Sequence, residues 1–249
     1  MRILALDATH ETFSVALIED HVLMAEMTLR LPKQVSTELV PVIHMLLNKL
    51  EWSLESLTLI AAAAGPGSYT GIRLAVTTAK ALAYGARLPL VGISSLKLLA
   101  QALPPLPYPV YLVPLIDARG ERTYGGVYYW RQEGGSWRLK TVVADRVQSV
   151  EAWVDTLQAL PPLPGLAPES VDFRSTYILI GDPRVPYRDA WQERLGTSAY
   201  LIEGVYASSR AAHLTHLALE AWEDGAFADP FFVPFYIQKS APEKKLEQK

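Results

Sequence analysis

Short apolar runs of strand length alternate along this chain with longer stretches whose apolar residues recur at helical spacing. Arg2–Asp7 and Phe13–Glu19 predict two strands around Ala8-Thr9-His10-Glu11-Thr12, and Val22–Leu31 extends the sheet. A helix over Ser36–Leu50, a buried strand over Leu57–Ala64 and a helix over Ile72–Tyr84 follow. Leu88–Ile93 reads as a strand and Ser94–Leu103 as a helix capped by Ser94 or Ser95. Leu103-Pro104-Pro105-Leu106-Pro107-Tyr108-Pro109 then breaks the pattern, because four prolines in seven residues suit neither a helix nor a central strand. Beyond it, Val110–Asp117, Thr123–Trp130 and Trp137–Val143 predict strands, the last two joined by the turn Glu133-Gly134-Gly135-Ser136. Ser149–Leu160 predicts a helix capped by Ser149, Pro161–Pro168 a surface loop, Tyr177–Gly181 a buried strand ending at Asp182, and Tyr187–Leu195 a short helix. The last helix is expected over Ser208–Asp224, stopped by Gly225, and the charged tail from Glu243 is expected to fray.

This mixture of strands and helices predicts an α/β protein of two lobes. The first spans 1–105, with a helix near 208–226 packing back on it; the second spans 106–205; 230–249 forms a tail. Each half opens with strands ending near an aspartate, Asp7 and Asp117, and later has a strand running into a glycine, Gly65 and Gly181. Two related lobes would explain that echo.

The most distinctive stretch lies between the predicted strand Leu57–Ala64 and the helix from Ile72. Gly65-Pro66-Gly67-Ser68-Tyr69-Thr70-Gly71-Ile72-Arg73 places three glycines within seven residues, which permits a sharp turn and close approach by other groups. Ser68 or Thr70 can cap the helix. A tight strand-to-helix turn is the plain reading, and an anion cradle at the helix start is the functional one. A Walker loop is excluded, since no Lys-Ser or Lys-Thr follows the last glycine.

The two helices of the first half carry more apolar surface than one core stripe needs. On Ser36–Leu50 the apolar positions cover roughly 220°, against the 100° or somewhat more of an ordinary core-facing helix. Leu39, Ile43, Leu46 and Leu50 serve the interior, while Val42 and Met45 fall to one side. Ile72, Val76, Ala79 and Ala83 form a stripe that Ala75, Leu82, Leu74 and Ala81 widen. Either a partner chain or the other lobe is expected to cover the excess.

Composition narrows the function. The chain has 249 residues, half of them hydrophobic, enough for one large domain or two smaller ones with real cores. No cysteine is present, so disulfides and thiolate metal sites are excluded, in keeping with a cytoplasmic location. No apolar run is long enough for a membrane span, and the N-terminus is too quickly charged for a signal peptide. Net charge is -3, with a pI near 6.0, which disfavours a free-standing nucleic-acid binder. His213 and His216 could meet at i, i+3 on a helix, but a metal would need a third ligand. No Gly-x-Ser-x-Gly elbow and no His-Glu-x-x-His motif occurs. Asp7 and Asp117 sit where Mg²⁺ or phosphate chemistry often places a carboxylate, or where a side chain caps the next turn.

Taken as a string, Gly65 to Arg73 resembles the signature of the TsaB (YeaZ) family, bacterial proteins of the tRNA threonylcarbamoyladenosine pathway. Ile3-Leu4-Ala5-Leu6-Asp7 with Phe13–Leu17, Pro89–Leu96, Ile116-Asp117-Ala118-Arg119 and Pro234-Phe235-Tyr236 follow in that family's order. The resemblance implies a two-lobed actin-like/Hsp70-like ATPase (ASKHA, ribonuclease H-like) fold with a degenerate nucleotide site. It implies no catalytic residue, no metal and no cofactor of the chain's own, ATP, ADP or Mg²⁺ entering, if at all, at a partner interface. The partners implied are a catalytic TsaD-like subunit, a TsaE-like ATPase and a second copy of the chain, with tRNA reached only through the complex. That complex transfers threonylcarbamoyl to N6 of adenosine 37 in tRNAs reading codons that begin with A. Its contact face falls on Val42, Met45 and Leu46 of the first helix and on Leu74, Ala75, Thr78 and Leu82 of the second.

Three departures stand out. Val35-Ser36-Thr37 replaces the family's His-Ser-Glu, Gln238 stands where relatives end the closing motif in Arg, and Asp7-Ala8-Thr9-His10 lacks the glycine by which an actin-like ATPase admits phosphates. The paired histidines that hold the metal in TsaD have no counterpart. The competing readings are a small-molecule kinase or ATPase of the same fold, which needs a Gly-rich phosphate hairpin, and an M22-type metallopeptidase, which needs a histidine-based metal site.

Overall fold

A computed structural model describes residues 1–10, 12–31, 34–163, 177–181, 188–228 and 232–237. The chain forms two compact units, one of Met1–Leu98 with Ser209–Lys249 and one of Leu99–Ser208.

In the first unit, β1 (Arg2–Asp7), β2 (Phe13–Glu19), β3 (Val22–Leu29), β4 (Leu59–Ala63) and β5 (Leu90–Ile93) make one sheet in the order β3-β2-β1-β4-β5. β1–β2 and β2–β3 are antiparallel; β1–β4 and β4–β5 are parallel. The near-continuous apolar runs of β1, β2 and β4 follow from burial on both faces. On one face Leu4, Leu6, Val15, Leu17, Ile60 and Ala62 meet α1 (Val35–Lys49) and α2 (Tyr69–Ala86). On the other, Ile3, Ala5, Ile18, Leu59, Ala61 and Val91 meet Leu214, Leu217 and Ala218 of the last helix. Each such apolar side chain contributes about 1.5–3 kcal/mol on burial. A shift of one residue in any strand would exchange the two faces, so packing fixes the register.

The second unit repeats the plan. β6 (Tyr111–Asp117), β7 (Arg122–Glu133), β8 (Ser136–Ser149), β9 (Tyr177–Gly181) and β10 (Ala199–Ile202) lie in the order β8-β7-β6-β9-β10. The first three are antiparallel and the last two join in parallel, as in the first unit. Its core packs Tyr111, Val113, Val127 and Leu179 against Trp153, Val154 and Leu157 of α4 (Val150–Gln158) and Trp191 and Leu195 of α5 (Arg188–Leu195). The paired aspartates thus stand at equivalent places, Asp7 ending β1 and Asp117 ending β6.

The remaining helices are α3 (Ser95–Gln101) and α6 (Leu214–Glu223). Ser94 Oγ accepts from the amides of Leu96 and Lys97, and Ser149 Oγ from that of Ala152, so both serines cap as expected. Three expectations need correction. Helix α2 starts at Tyr69, not Ile72, because Ser68 is its cap. Helix α6 starts at Leu214, after an extended Ser208–Arg210 and a 3₁₀ turn at Ala211–His213, not at Ser208. Strand β10 was not expected at all. Pro41 lies inside α1 without ending it; it faces solvent, and Leu39, Val42, Ile43 and Leu46 hold the helix to the sheet. Asp182, the part of the expected Pro161–Pro168 loop beyond Leu163, Tyr187, Gln238 and the charged tail lie outside the described residues. No helix among the described residues is long and apolar enough to cross a membrane.

Candidate functional site

Residues 65–73 form a junction of four segments. The Gly65 amide donates to Ser95 Oγ (3.1 Å) and its carbonyl accepts from the Ser95 amide (2.8 Å), which fastens the loop to the start of α3. The Ser68 amide donates to the Thr9 carbonyl (2.8 Å), while Ser68 Oγ accepts from the Gly71 amide at 3.4 Å as the helix cap. Gly67 adopts φ +153°, and a Cβ there would lie 2.3 Å from the Thr9 carbonyl oxygen. A Cβ on Gly71 would lie 1.8 Å from that of Ala8. The loop therefore needs these two glycines so that the turn between β1 and β2 can rest against its backbone. Two carbonyl oxygens face the start of α2, where an anion would have to sit, so the geometry favours a structural junction over a phosphate cradle.

The C-terminal segment closes the junction. The Phe235 amide donates to the Ala64 carbonyl (2.7 Å), and Lys80 Nζ donates to the Phe232 carbonyl (2.7 Å). Tyr236 stacks on Tyr69 with ring centroids 5.0 Å apart, and the Phe232 ring lies over Gly92, where a Cβ would come within 2.0 Å of it. The closing Pro234-Phe235-Tyr236 thus packs on the Gly65–Arg73 loop.

Asp7 is buried and accepts three hydrogen bonds. Its Oδ1 accepts from the Thr9 amide (3.0 Å) and Thr9 Oγ1 (2.6 Å), and its Oδ2 accepts from Ser209 Oγ (2.6 Å). Both hydroxyls also approach His10 Nδ1, at 3.0 and 3.1 Å. Since each hydroxyl hydrogen goes to the carboxylate, the imidazole is the donor to both oxygens, with its proton on Nδ1. Asp7 therefore caps its own turn and anchors residue 209, which sequence reasoning had placed in a helix. Asp117 caps its turn in the same way, accepting from the Arg119 amide at 2.8 Å. Burial, with Arg210 nearby, holds the His213 imidazole below its ordinary range against the opposing pull of Glu26 and Asp7. His216 pairs with Glu220 (3.3 Å), and no group of three or more His, Asp or Glu side chains among the described residues is placed to hold a metal.

The predicted contact residues separate into two sets. Val42, Leu46 and Ala75 are buried in the first unit's own core, at 6%, 7% and 0% exposure, so the reading that put them on an open face is corrected. Leu74, Thr78 and Leu82 are half-buried, and Met45 is 37% exposed. The residues sequence reasoning missed are Val40, 53% exposed on α1, and Tyr84, 90% exposed on α2. The small side chains of Ala75, Ala79 and Ala83 explain the difference: they let α1 and α2 approach closely, and the contact absorbs Val42. Tyr69, Thr70 and Arg73 are exposed at the start of α2. Val35, in the departure Val35-Ser36-Thr37, is a buried core residue.

Two units, each with a mixed five-stranded sheet of the same order and strand directions, define a protein of the two-lobed actin-like (ribonuclease H-like) class. A family model described as "TsaD: tRNA N6-adenosine threonylcarbamoyltransferase" matches residues 31–225. The chain is 27% identical to the tRNA threonylcarbamoyladenosine biosynthesis protein TsaB of Bacillus subtilis, over 98% of this chain and 97% of that one. It is 34% identical to TsaB of Escherichia coli over 68% of this chain and 77% of the relative. A solved structure from Pseudomonas aeruginosa, described as having similarity to peptidase YEAZ, superposes with a TM-score of 0.72 at 25% identity, over 95% of this chain and 99% of that one. The chain belongs to the TsaB (YeaZ) family, proteins of tRNA threonylcarbamoyladenosine biosynthesis.

Proposed function

We propose that this chain is a non-catalytic subunit that binds a TsaD-like transferase through the outer face of α1 and α2. In that assembly it supports transfer of threonylcarbamoyl to N6 of adenosine 37 in tRNAs that read codons beginning with A. A TsaE-like ATPase completes the assembly, tRNA is reached through the complex, and a second copy of the chain competes for the same face. The observation that carries the reading is the apolar side chains left uncovered on two helices whose inner faces are already filled: Val40 and Met45 are exposed on α1, and on α2 Tyr84 is exposed and Leu74 and Leu82 are half-buried. The occupied Asp7 supports the non-catalytic part, since a kinase or ATPase would need that carboxylate free for Mg²⁺.

The test is co-purification of the Val40→Asp, Met45→Asp double variant with a TsaD-like subunit, followed by a tRNA modification assay. Both positions are exposed, so the variant should melt within about 2 °C of the parent. It should lose the partner and fail to stimulate modification. Retained pairing, or modification of tRNA by the purified chain alone, would sink the proposal.

A further inference from the structure

The second sheet has an incomplete corner. β6 pairs with β7 from Asp117 opposite Thr123 as far as Leu112 opposite Tyr128. β7 and β8 stay paired beyond that, to Glu133 opposite Ser136. β6 begins at Tyr111, which this register sets opposite Tyr129, so residues 130–133 have no strand beside them on the β6 side among the described residues. The segment that reaches this place contains Pro107 and Pro109, which have no N–H and cannot extend the ladder. What remains is a cleft of about 580 Å³, within the range of small-molecule sites. It is lined by Tyr108, Tyr129, Trp130, Arg131, Gln132 and Trp137, all within the second unit.

Its chemistry is specific. Four aromatic residues line one space, and the orientation of Trp130 is fixed by its indole N–H donating to the Leu103 carbonyl at 2.9 Å. The hairpin beside it is basic in a chain of net charge -3. Arg131 stands directly opposite Arg138 in the β7–β8 register, a like-charge pairing that costs sheet stability. Lys140 adds a third cation, and one carboxylate, Glu133, serves both Lys140 (2.6 Å) and Arg131 (3.6 Å). Aromatic faces stack nucleobases of any identity, an amide such as Gln132 can both donate to and accept from a base edge, and a guanidinium matches a phosphate in two-point geometry.

We infer that this cleft binds a nucleobase bearing a phosphate, stacked on the aromatic walls with Arg131 on the anion. The same chemistry is offered by a free mononucleotide and by an unpaired base in RNA. The inference is independent of the partner reading above, because α1 and α2 belong to the other unit.

Titration calorimetry with AMP and fluorescence anisotropy with a labelled hexa-adenylate test it, on the parent chain and on Trp137→Ala and Arg131→Glu. Saturable binding of AMP alone identifies a mononucleotide site, of the oligomer alone an RNA contact, and of both a general base-phosphate site. Each substitution should weaken binding by about tenfold, and Arg131→Glu should flatten its salt dependence. Trp137 is 40% exposed and the Arg131 side chain 61%, so both variants should fold. Should Trp137→Ala melt early, Arg131→Glu alone carries the comparison. No saturable binding of either probe, or equal binding by parent and variants, overturns the inference.

Discussion

Helix α2 contains two glycines, Gly71 and Gly85, and the structure assigns opposite signs to the same substitution at each. By propensity alone, Ala should improve both positions. At Gly71 the new Cβ would lie 1.8 Å from the Ala8 carbonyl oxygen, where contacts below 3.0 Å are essentially never found. The start of α2 and the turn after β1 must therefore separate by about 1.2 Å. The obstacle is backbone, and it belongs to a turn already fixed by the Thr9-to-Asp7 and Ser68-to-Thr9 hydrogen bonds, so relief by rotamer change is closed. Overpacking against an unyielding neighbour costs about 3 kcal/mol, the upper end of the usual range. At Gly85 nothing lies within 4 Å of the added carbon, and Ala should stabilise by about 0.5–1 kcal/mol. For a chain of this size, about 2–4 °C of melting temperature accompanies each kcal/mol. Thermal unfolding followed by circular dichroism should then show Gly71→Ala lower by about 6–12 °C and Gly85→Ala higher by about 1–4 °C. If the two variants move in the same direction, the junction between the loop and the β1–β2 turn is misread.

Three further outcomes are expected. Asp7→Ala strands one amide and two hydroxyls that now share its carboxylate, and should lower stability in urea by about 3 kcal/mol; a change below about 1 kcal/mol would mean that the cluster is solvated. Burial depresses the His213 pKa, so the unfolded chain takes the proton first; the stability from the neutral ring is full above about pH 6.5 and is lost as pH falls through the lower folded value. His213→Leu should therefore flatten the decline in unfolding midpoint between pH 7 and pH 5. Gly92→Ala should displace the Phe232 ring and speed chymotryptic cleavage at Phe232, Phe235 or Tyr236; unchanged cleavage would show that the segment is held without that contact.

Much of the architecture could be read before any coordinates. Strands β1 and β2 end where the apolar runs end, and α1 survives Pro41 because its buried stripe outweighs one lost hydrogen bond. Two of the failures share a cause, a dependence on contacts remote in sequence. Ser209 looked like the start of a helix, but its hydroxyl is claimed by Asp7, 202 residues earlier, and the backbone stays extended. Val42 looked superfluous because the arc was counted on an isolated helix, whereas α2's alanines bring a second wall against it. Strand β10 is short and only half-buried, so alternation left little trace of it. The signature loop was visible as a string, yet the reason for its glycines depends on which backbone lies against them.

The return of the chain to the first unit sets a timetable for its synthesis. Ile3, Ala5, Ile18, Ala61 and Val91 wait for Leu214, Leu217 and Ala218, while residues 99–208, the other unit, are made in between. A growing polypeptide on the ribosome thus leaves that sheet face bare until α6 emerges. Interrupted translation would leave an adhesive half-built unit rather than a smaller working one.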